Sequence, residues 1–520
     1  MDAGSRYCWA TFALIGAVTL ARLGYLAFGC PFDLAPDEAH YWDWSRQLDW
    51  CYYSKGPLVA WLIRASCAIL GETMFAVRLP AVLCGGLLLL GLRALILQVY
   101  HDERLGLMVV GVALTLPLVA AGALLMTIDA PFVAAWMWAI VFTHRAAVLG
   151  SSWAWPCAGG CVLLGVLAKH TMILFIPSLA LFLLTTPPLR SRIAQPGFWI
   201  MASIGALGGL PVLLWNATHD WVTLLHTRGH AGFDALAFHP LGPLRFLGGQ
   251  AVVFLGFWLV LWLVAMWKHR PTCEGCPHRR FLWWMSLPTF AFFALFALKN
   301  GGGEPNWPVV AYLAGMVLAA GGRDLESGVR SQGSGVIIFA GIGLVVTLSL
   351  HQSMWVQPAL AWLAGPASEE RPMPMRRLDP TVRLRGWRHL AYEVDRLRAE
   401  LRERGVEPVL AAARWTQAGE LAFYCEGQPR VACIGSALGD RHSQYDLWRP
   451  SPLADADLYA GRTFILIGVH ADQVRDAFAD VEPTCRIEYR ENGHLIATHT
   501  LVIAHGFLGF RTTSAGGRRY

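Results

Sequence analysis

A multi-pass α-helical membrane protein with a soluble α/β tail is the fold class this sequence predicts. Three observations carry the prediction. The composition is 55% hydrophobic and only 15% charged, against about 25% charge in an ordinary globular chain. Apolar runs near the ~20 residues that cross a bilayer core recur between residues 9 and 353. Beyond residue 370 those runs stop, and the chain becomes charged and patterned.

Eleven segments read as transmembrane helices, near 9–29, 77–99, 107–125, 131–148, 153–168, 171–186, 197–215, 247–267, 281–298, 306–321 and 335–353. The first has no small-residue cleavage site and is expected to stay as an anchor. The stretch "GPLVAWLIRASCAILG" at 56–71 is apolar but short, with Arg64 at its centre. An arginine at mid-bilayer costs roughly 3 kcal/mol or more, so an interfacial, juxtamembrane helix is expected there. The loop charges agree. With the N-terminus cytoplasmic and 56–71 left out of the count, "YHDERLG", "THRAAVLG", "TTPPLRSRIAQ", "KHRPTCEGCPHRR" and "GGRDLESGVRSQ" all fall inside. They hold most of the loop Lys and Arg, as the positive-inside rule requires. Counting 56–71 as a span would move them outside. The 23 tryptophans suit the membrane–water interface. The net charge of +6 is spread over short loops, which speaks against nucleic acid as a partner. Cys273 and Cys276 in "CEGCPH" have no second pair at zinc-site spacing and read as an ordinary loop.

The tail falls outside the membrane in this arrangement. "GWRHLAYEVDRLRAELRERG" reads as an amphipathic helix ending at glycine. "VEPVLAAA", "RVACIG" and "RTFILIGVH" read as buried strands. "IEYRENGHLIATHTLVI" reads as a hairpin with Asn492-Gly493 in the turn. Strands alternating with helices make a small α/β domain. The expected division is a membrane domain at 1–365 and an extracytoplasmic domain at 370–520.

This topology gathers the unusual residues on the outer face. Asp37 and Glu38 lie in "APDEAHYWDW", and Lys55 ends the same loop. Asp129 in "MTIDAP" sits at an outer mouth, and Lys169-His170, His219-Asp220 and Glu304 lie in other outer segments. Taken singly, each has a plain structural reading: a solvated loop start, a snorkelling lysine, a helix start with proline in its first turn. Their placement together on one face is what points to chemistry. A carboxylate can deprotonate an acceptor hydroxyl or amine. A lysine can hold a lipid phosphate and stabilise it as it leaves. A divalent cation at Glu38 is the one cofactor this pattern admits, and no dedicated metal site is read.

"PDEAHYWDWSRQLDWCYYSKGPLVAWLIRASCAILGETMFAVRLPAVLCG" resembles the N-terminal region of bacterial glycosyltransferase family 39 proteins. These are relatives of the protein O-mannosyltransferases and lipid A aminoarabinose transferases, with the GT-C fold. "MTIDAPFVAAWMWA", "GVLAKHTMILFIP", "LLWNATHDWVTL", "GGQAVVFLGFWL", "EPNWPVVAYLA" and, in the tail, "ELAFYCEGQP" and "SQYDLW" extend the resemblance over most of the chain. It implies a glycosyltransferase of the bacterial inner membrane with a periplasmic C-terminal domain. Such an enzyme moves a sugar, with inversion, from a polyprenyl-phosphate donor to a glycan, lipid or protein acceptor. Asp37 matches the catalytic base, Asp129 a second acidic residue of the active site, and Lys55 the lysine on the carrier phosphate. Glu38 is carried with the catalytic pair. His40, Tyr53, Arg78, Lys169 and His170 are expected around the donor phosphate, and His219, Glu304, Asn306 and Trp307 in the acceptor or substrate pocket. His40 stands where aminoarabinose transferases have arginine. Ser54-Lys55-Gly56-Pro57 replaces their Glu-Lys-Pro-Pro, which separates this chain from the aminoarabinose–lipid A substrate pair. The rival readings are a transporter or flippase of lipid-linked sugars, and a non-catalytic envelope assembly protein. Charges clustered at one face, with no internal repeat, speak against the transporter.

Overall fold

A computed structural model describes residues 2–230, 237–271, 276–321, 333–368 and 371–510. Cys273 and the loop at 322–332 lie outside the described residues. Among the described residues, five helices are long and apolar enough to cross a membrane: Ala3–Gly29, Met74–Tyr100, Pro196–Thr218, Pro277–Asn300 and Ser334–His351. In the first and last, only 17% and 11% of the apolar window is buried. Apolar side chains that face outward over such lengths belong against lipid.

Several expected spans are broken or short, each for a local reason. The run at 247–267, expected as one helix, is two, Gly242–Val253 and Phe257–Lys268, bent by 117°. Leu255 at φ 53° and Gly256 at φ 65° are left-handed and cannot continue a right-handed helix. The run at 107–125 divides into Glu103–Thr115 and Pro117–Gly122, with Leu116 extended between them, as a residue before proline prefers. The run at 306–321 contributes only Ala311–Ala320 as α-helix.

The face read from the sequence as outer is built on helices α1 (Ala3–Gly24), α2 (Pro36–Ser45), α3 (Leu58–Leu70) and α4 (Met74–Tyr100). Helix α3 has 13 residues, about 20 Å at 1.5 Å per residue, short of the ~30 Å hydrocarbon core. Arg64 is exposed on it, with Glu72 at 3.9 Å. A surface position for α3 makes a topological prediction. Cysteines introduced beside Arg104 are expected to stay shielded from an impermeant thiol reagent in intact cells, while cysteines beside Asp129 react. The reverse labelling pattern would make 56–71 a span.

In the tail, the expected amphipathic helix runs over Trp387–Glu403 and buries Leu390, Val394 and Leu401. The strands are β1 (Val409–Ala412), β2 (Ala432–Cys433), β3 (Phe464–Ile467), β4 (Phe478–Val481), β5 (Cys485–Glu491) and β6 (His494–Phe507). They form one sheet ordered β2-β1-β3-β6-β4, with β5 also on β6. β1 runs parallel to β2 and β3, and β6 is antiparallel to its partners. Asn492 and Gly493 turn the β5–β6 hairpin at φ 47° and 81°, the left-handed pair such turns need. Two elements go beyond the sequence expectation: strand β4 and the helix Trp415–Tyr424.

That helix joins the tail to the membrane part. A Cβ added at Gly419 would meet the His40 backbone nitrogen at 3.0 Å, so only glycine allows α2 to approach this closely. Asp33 accepts from the Trp387 N–H at 2.9 Å and pairs with Arg388 at 3.1 Å. One buried cluster runs through Trp42, Trp44, Tyr52 and Val77 into Val394, Leu421 and Ile467. The sheet and the outer loop therefore share a core.

Candidate active site

Helix α2 starts at Pro36, whose missing N–H costs nothing in a first turn. Asp37 and Glu38 follow, where carboxylates favour a helix N-terminus. One turn places the two on different sides. Glu38 is wholly buried and pairs with Arg78 of α4, Nη2 to Oε2 2.7 Å and Nε to Oε1 3.0 Å. It also accepts from the Ala35 N–H and the Met126 N–H, each at 2.8 Å. Arg78 donates in addition to the Asp33 carbonyl at 2.7 Å. Glu38 and Arg78 thus saturate one another. They fasten α2, α4 and the segment leading to Asp129 together, a structural role beside the catalytic and phosphate-binding ones expected of Glu38 and Arg78; Arg78 also lines a cavity with Asp37.

Asp37 points the other way, into open space between two cavities. Solvent reaches it through them, yet protein surrounds it on the remaining sides. That depth raises its carboxyl above the ordinary aspartate range, with Lys55 opposing the shift. Tyr41 lies 3.5 Å away through its hydroxyl. Lys55 is brought up by a close backbone approach. A Cβ on Gly56 would sit 2.2 Å from the Leu167 carbonyl oxygen at the end of the helix Ala154–Ala168, so this position tolerates only glycine. Burial lowers the Lys55 ammonium, the charge of Lys169 lowers it further, and Asp37 and Asp129 oppose both.

Asp129 opens the helix Asp129–Ala147. Its Oδ1 accepts from Lys169 Nζ at 2.7 Å and its Oδ2 from Asn306 Nδ2 at 2.7 Å. Three distant segments therefore meet at one carboxylate. Lys169 is neutralised there and lies over the Phe132 ring at 5.4 Å. His170 adjoins this group. His40 is buried against Trp44, Trp415 and Tyr445, with ring centroids 4.8, 4.8 and 5.2 Å away. Burial depresses it to about 3. The phosphate contact expected of His40, which lines the polar cavity, would come from a neutral imidazole that donates a hydrogen bond but brings no positive charge. Tyr53 lines the cavity that Lys55 also faces and donates its backbone N–H to Gln444 at 2.7 Å.

The expected pocket residues divide. Asn306 reaches the site through Asp129. His219 instead stacks on Trp215 at 3.9 Å and bonds to that residue's carbonyl at 2.8 Å. Trp307 packs near Phe293 at 5.8 Å, and Glu304 is exposed. None of His219, Glu304 and Trp307 lines either cavity.

The smaller cavity, about 380 Å³, is polar and holds Lys55, Tyr53 and His226 from the membrane part, with Trp415, Arg441 and Gln444 from the tail. The larger, about 740 Å³, has an apolar wall including Leu26, Ala120 and Leu124 and a basic rim of Arg376, Arg383 and Arg414. Asp37 and Trp415 line both. The sequence pattern does not single out these tail residues as part of the site, although "SQYDLW" lies immediately beside Arg441 and contains Gln444.

Residues 54–215 match the model of the dolichyl-phosphate-mannose-protein mannosyltransferase family. The lipid A galacturonosyltransferase RgtD of Rhizobium johnstonii is 31% identical over 311 residues, which is 58% of this chain and 63% of that protein. The chain thus spans less than two thirds of that relative. Apo ArnT from Cupriavidus metallidurans superposes with a TM-score of 0.62 at 15% identity, over 94% of this chain and 97% of that one. The same protein bound to undecaprenyl phosphate superposes at 0.59 and 15%, over 95% and 97%. The chain therefore has the fold of ArnT, a body of apolar helices with a small C-terminal sheet domain.

Proposed function

We propose that this protein moves a sugar from a polyprenyl-phosphate donor to a lipid acceptor at the outer membrane face, with Asp37 as general base. The observation that carries the reading is the position of Asp37, open to two cavities of opposite character. The polar cavity with Lys55 suits a sugar phosphate. The larger one, apolar on one side and basic at its rim, suits a lipid with an anionic headgroup. RgtD, whose name gives a galacturonosyl transfer to lipid A, makes a uronic sugar and a glycolipid the first pair to try.

In the step proposed, the acceptor oxygen attacks the anomeric carbon, and its proton passes to Asp37. The bond from that carbon to the phosphate oxygen breaks, and polyprenyl phosphate leaves with the added negative charge. One displacement inverts the anomeric centre. Lys55 sits where that charge grows. Asp129, held by Lys169 and Asn306, adds a negative charge that favours the Lys55 ammonium. Purified protein incubated with polyprenyl-phosphate-linked uronic, neutral and amino sugars plus glycolipid tests this. Release of polyprenyl phosphate from at least one donor is expected, and none from any donor would sink the proposal.

Lys55→Ala is expected to weaken donor binding by about 1.5–3 kcal/mol, the worth of a charge-assisted hydrogen bond, and to slow turnover further. Lys55→Arg should keep part of both, since its charge remains but its geometry differs. Donor titration and turnover of both variants are the check. Normal affinity and rate in Lys55→Ala would reduce Lys55 to a packing role.

A further inference from the structure

The tail domain sends one cation into the polar cavity. Arg441 lies on the loop that leads into Gln444; its own N–H donates to Asp440 at 2.8 Å, and the loop is pinned just after it. Gln444 accepts from the Tyr53 backbone N–H at 2.7 Å. Ser443 donates its own N–H to Asp446 at 2.7 Å. The Arg441 guanidinium lies over the Trp415 ring at 5.5 Å, with Nη1 3.4 Å from His226 Nε2. Arginine stacked on an indole keeps its fork of donors aimed outward.

The charges of the site do not balance around it. Asp129 is matched by Lys169 at 2.7 Å, and Glu38 by Arg78 at 2.7 Å. Among the described residues, the charged groups that line the cavity are Asp37, Lys55 and Arg441. No carboxylate among the described residues forms an ion pair with Arg441, whose guanidinium contacts an imidazole and an aromatic face. Two cations thus face one carboxylate in a cavity of sugar-phosphate size. Such an excess calls for an anion from outside the protein. Arginine prefers oxyanions with two oxygens to offer, which phosphate and carboxylate both have.

We infer that Arg441 binds an oxyanion of the donor, so that the C-terminal domain completes the donor pocket across from Lys55. This rests on the function proposed above. The oxyanion is either the carrier phosphate or a carboxylate on the sugar.

The experiment uses the full-length protein in nanodiscs, as wild type, Arg441→Ala and Arg441→Lys. Binding of sugar-free polyprenyl phosphate is measured, then KM and kcat with a neutral-sugar and a uronic-sugar donor, and finally the melting temperature. Arg441→Ala is expected to lose affinity by about 10- to 100-fold, with partial recovery in Arg441→Lys. An exposed residue in no ion pair should leave the melting temperature unmoved. Weakened binding of polyprenyl phosphate itself assigns the phosphate. A raised KM for the uronic donor alone assigns the sugar carboxylate. Equal affinity and KM for every probe in wild type and Arg441→Ala would overturn the inference by itself. Wild-type protein that neither binds polyprenyl phosphate nor consumes any donor would overturn the proposed function and this inference together.

Discussion

An Asp37→Asn protein is expected to bind the polyprenyl-phosphate donor and to turn it over roughly 10²–10⁴-fold more slowly than wild type, the usual size of a general-base contribution. The substitution keeps the shape of the side chain and removes only its capacity to take a proton. Asp37 makes one long side-chain contact, to Tyr41 at 3.5 Å, so the fold loses little. The same residue sets the pH dependence. Its carboxyl is raised by burial, and only the ionised form can act as base. Turnover should therefore fall on acidification at a pH above the ~3.9 of an ordinary aspartate. Lys55 is lowered by burial and by Lys169. Its charge should be lost on the alkaline side below the ~10.4 of an ordinary lysine. In Lys55→Arg, the alkaline limb should move up, because a guanidinium does not deprotonate in this range. A pH–rate profile of wild type and Lys55→Arg measures both limbs. An Asp37→Asn enzyme with near-normal turnover would pass the role of base to Asp129.

Arg78→Ala is expected to damage folding more than chemistry. It would leave Glu38, with no exposed surface, buried without its ion partner. Breaking a buried pair from one side costs about 3–5 kcal/mol, a large part of the 5–15 kcal/mol that holds a typical domain. Glu38 also anchors the Ala35 and Met126 amides, so its displacement would shift α2 and carry Asp37 with it. A large drop in melting temperature, or loss of folded protein, is the expected result. Replacing both partners with neutral residues of similar volume should cost less than Arg78→Ala, because no charge is stranded. An Arg78→Ala protein with wild-type melting would return Arg78 to a ligand-binding role.

Much of the site is legible in the sequence, and the physical reason is membrane topology. Loop charges sort the segments to two expected faces, and Asp37, Lys55, Asp129, Lys169 and Asn306 all fall on the one read as outer. The fold brings them together, directly through the Asp129 contacts. Sequence order does not resolve orientation. Asp37 and Glu38 are adjacent in sequence, yet successive helical residues point about 100° apart, and one carboxylate faces a cavity while the other faces Arg78. Outer-face placement also does not imply contact. His219 finds Trp215 four residues back, and Glu304 is exposed. The tail patterns clearly as helix and strands, but its docking depends on Gly419 meeting the α2 backbone, and no periodicity reports such an approach. Trp415 and Arg441 carry no sequence signal for that reason, and Gln444 carries only its place in "SQYDLW". The broken span at 247–267 is equally silent, because a left-handed Leu255 leaves no mark in an apolar run.

Sealed proteoliposomes holding the purified protein, a labelled polyprenyl-phosphate sugar and a glycolipid acceptor separate transfer from transport in one measurement. The label is followed into glycolipid while free polyprenyl phosphate is counted. Transfer predicts one polyprenyl phosphate released for each sugar on the glycolipid, with both products abolished by Asp37→Asn. Intact donor moving from one leaflet to the other, with no polyprenyl phosphate released, would contradict it.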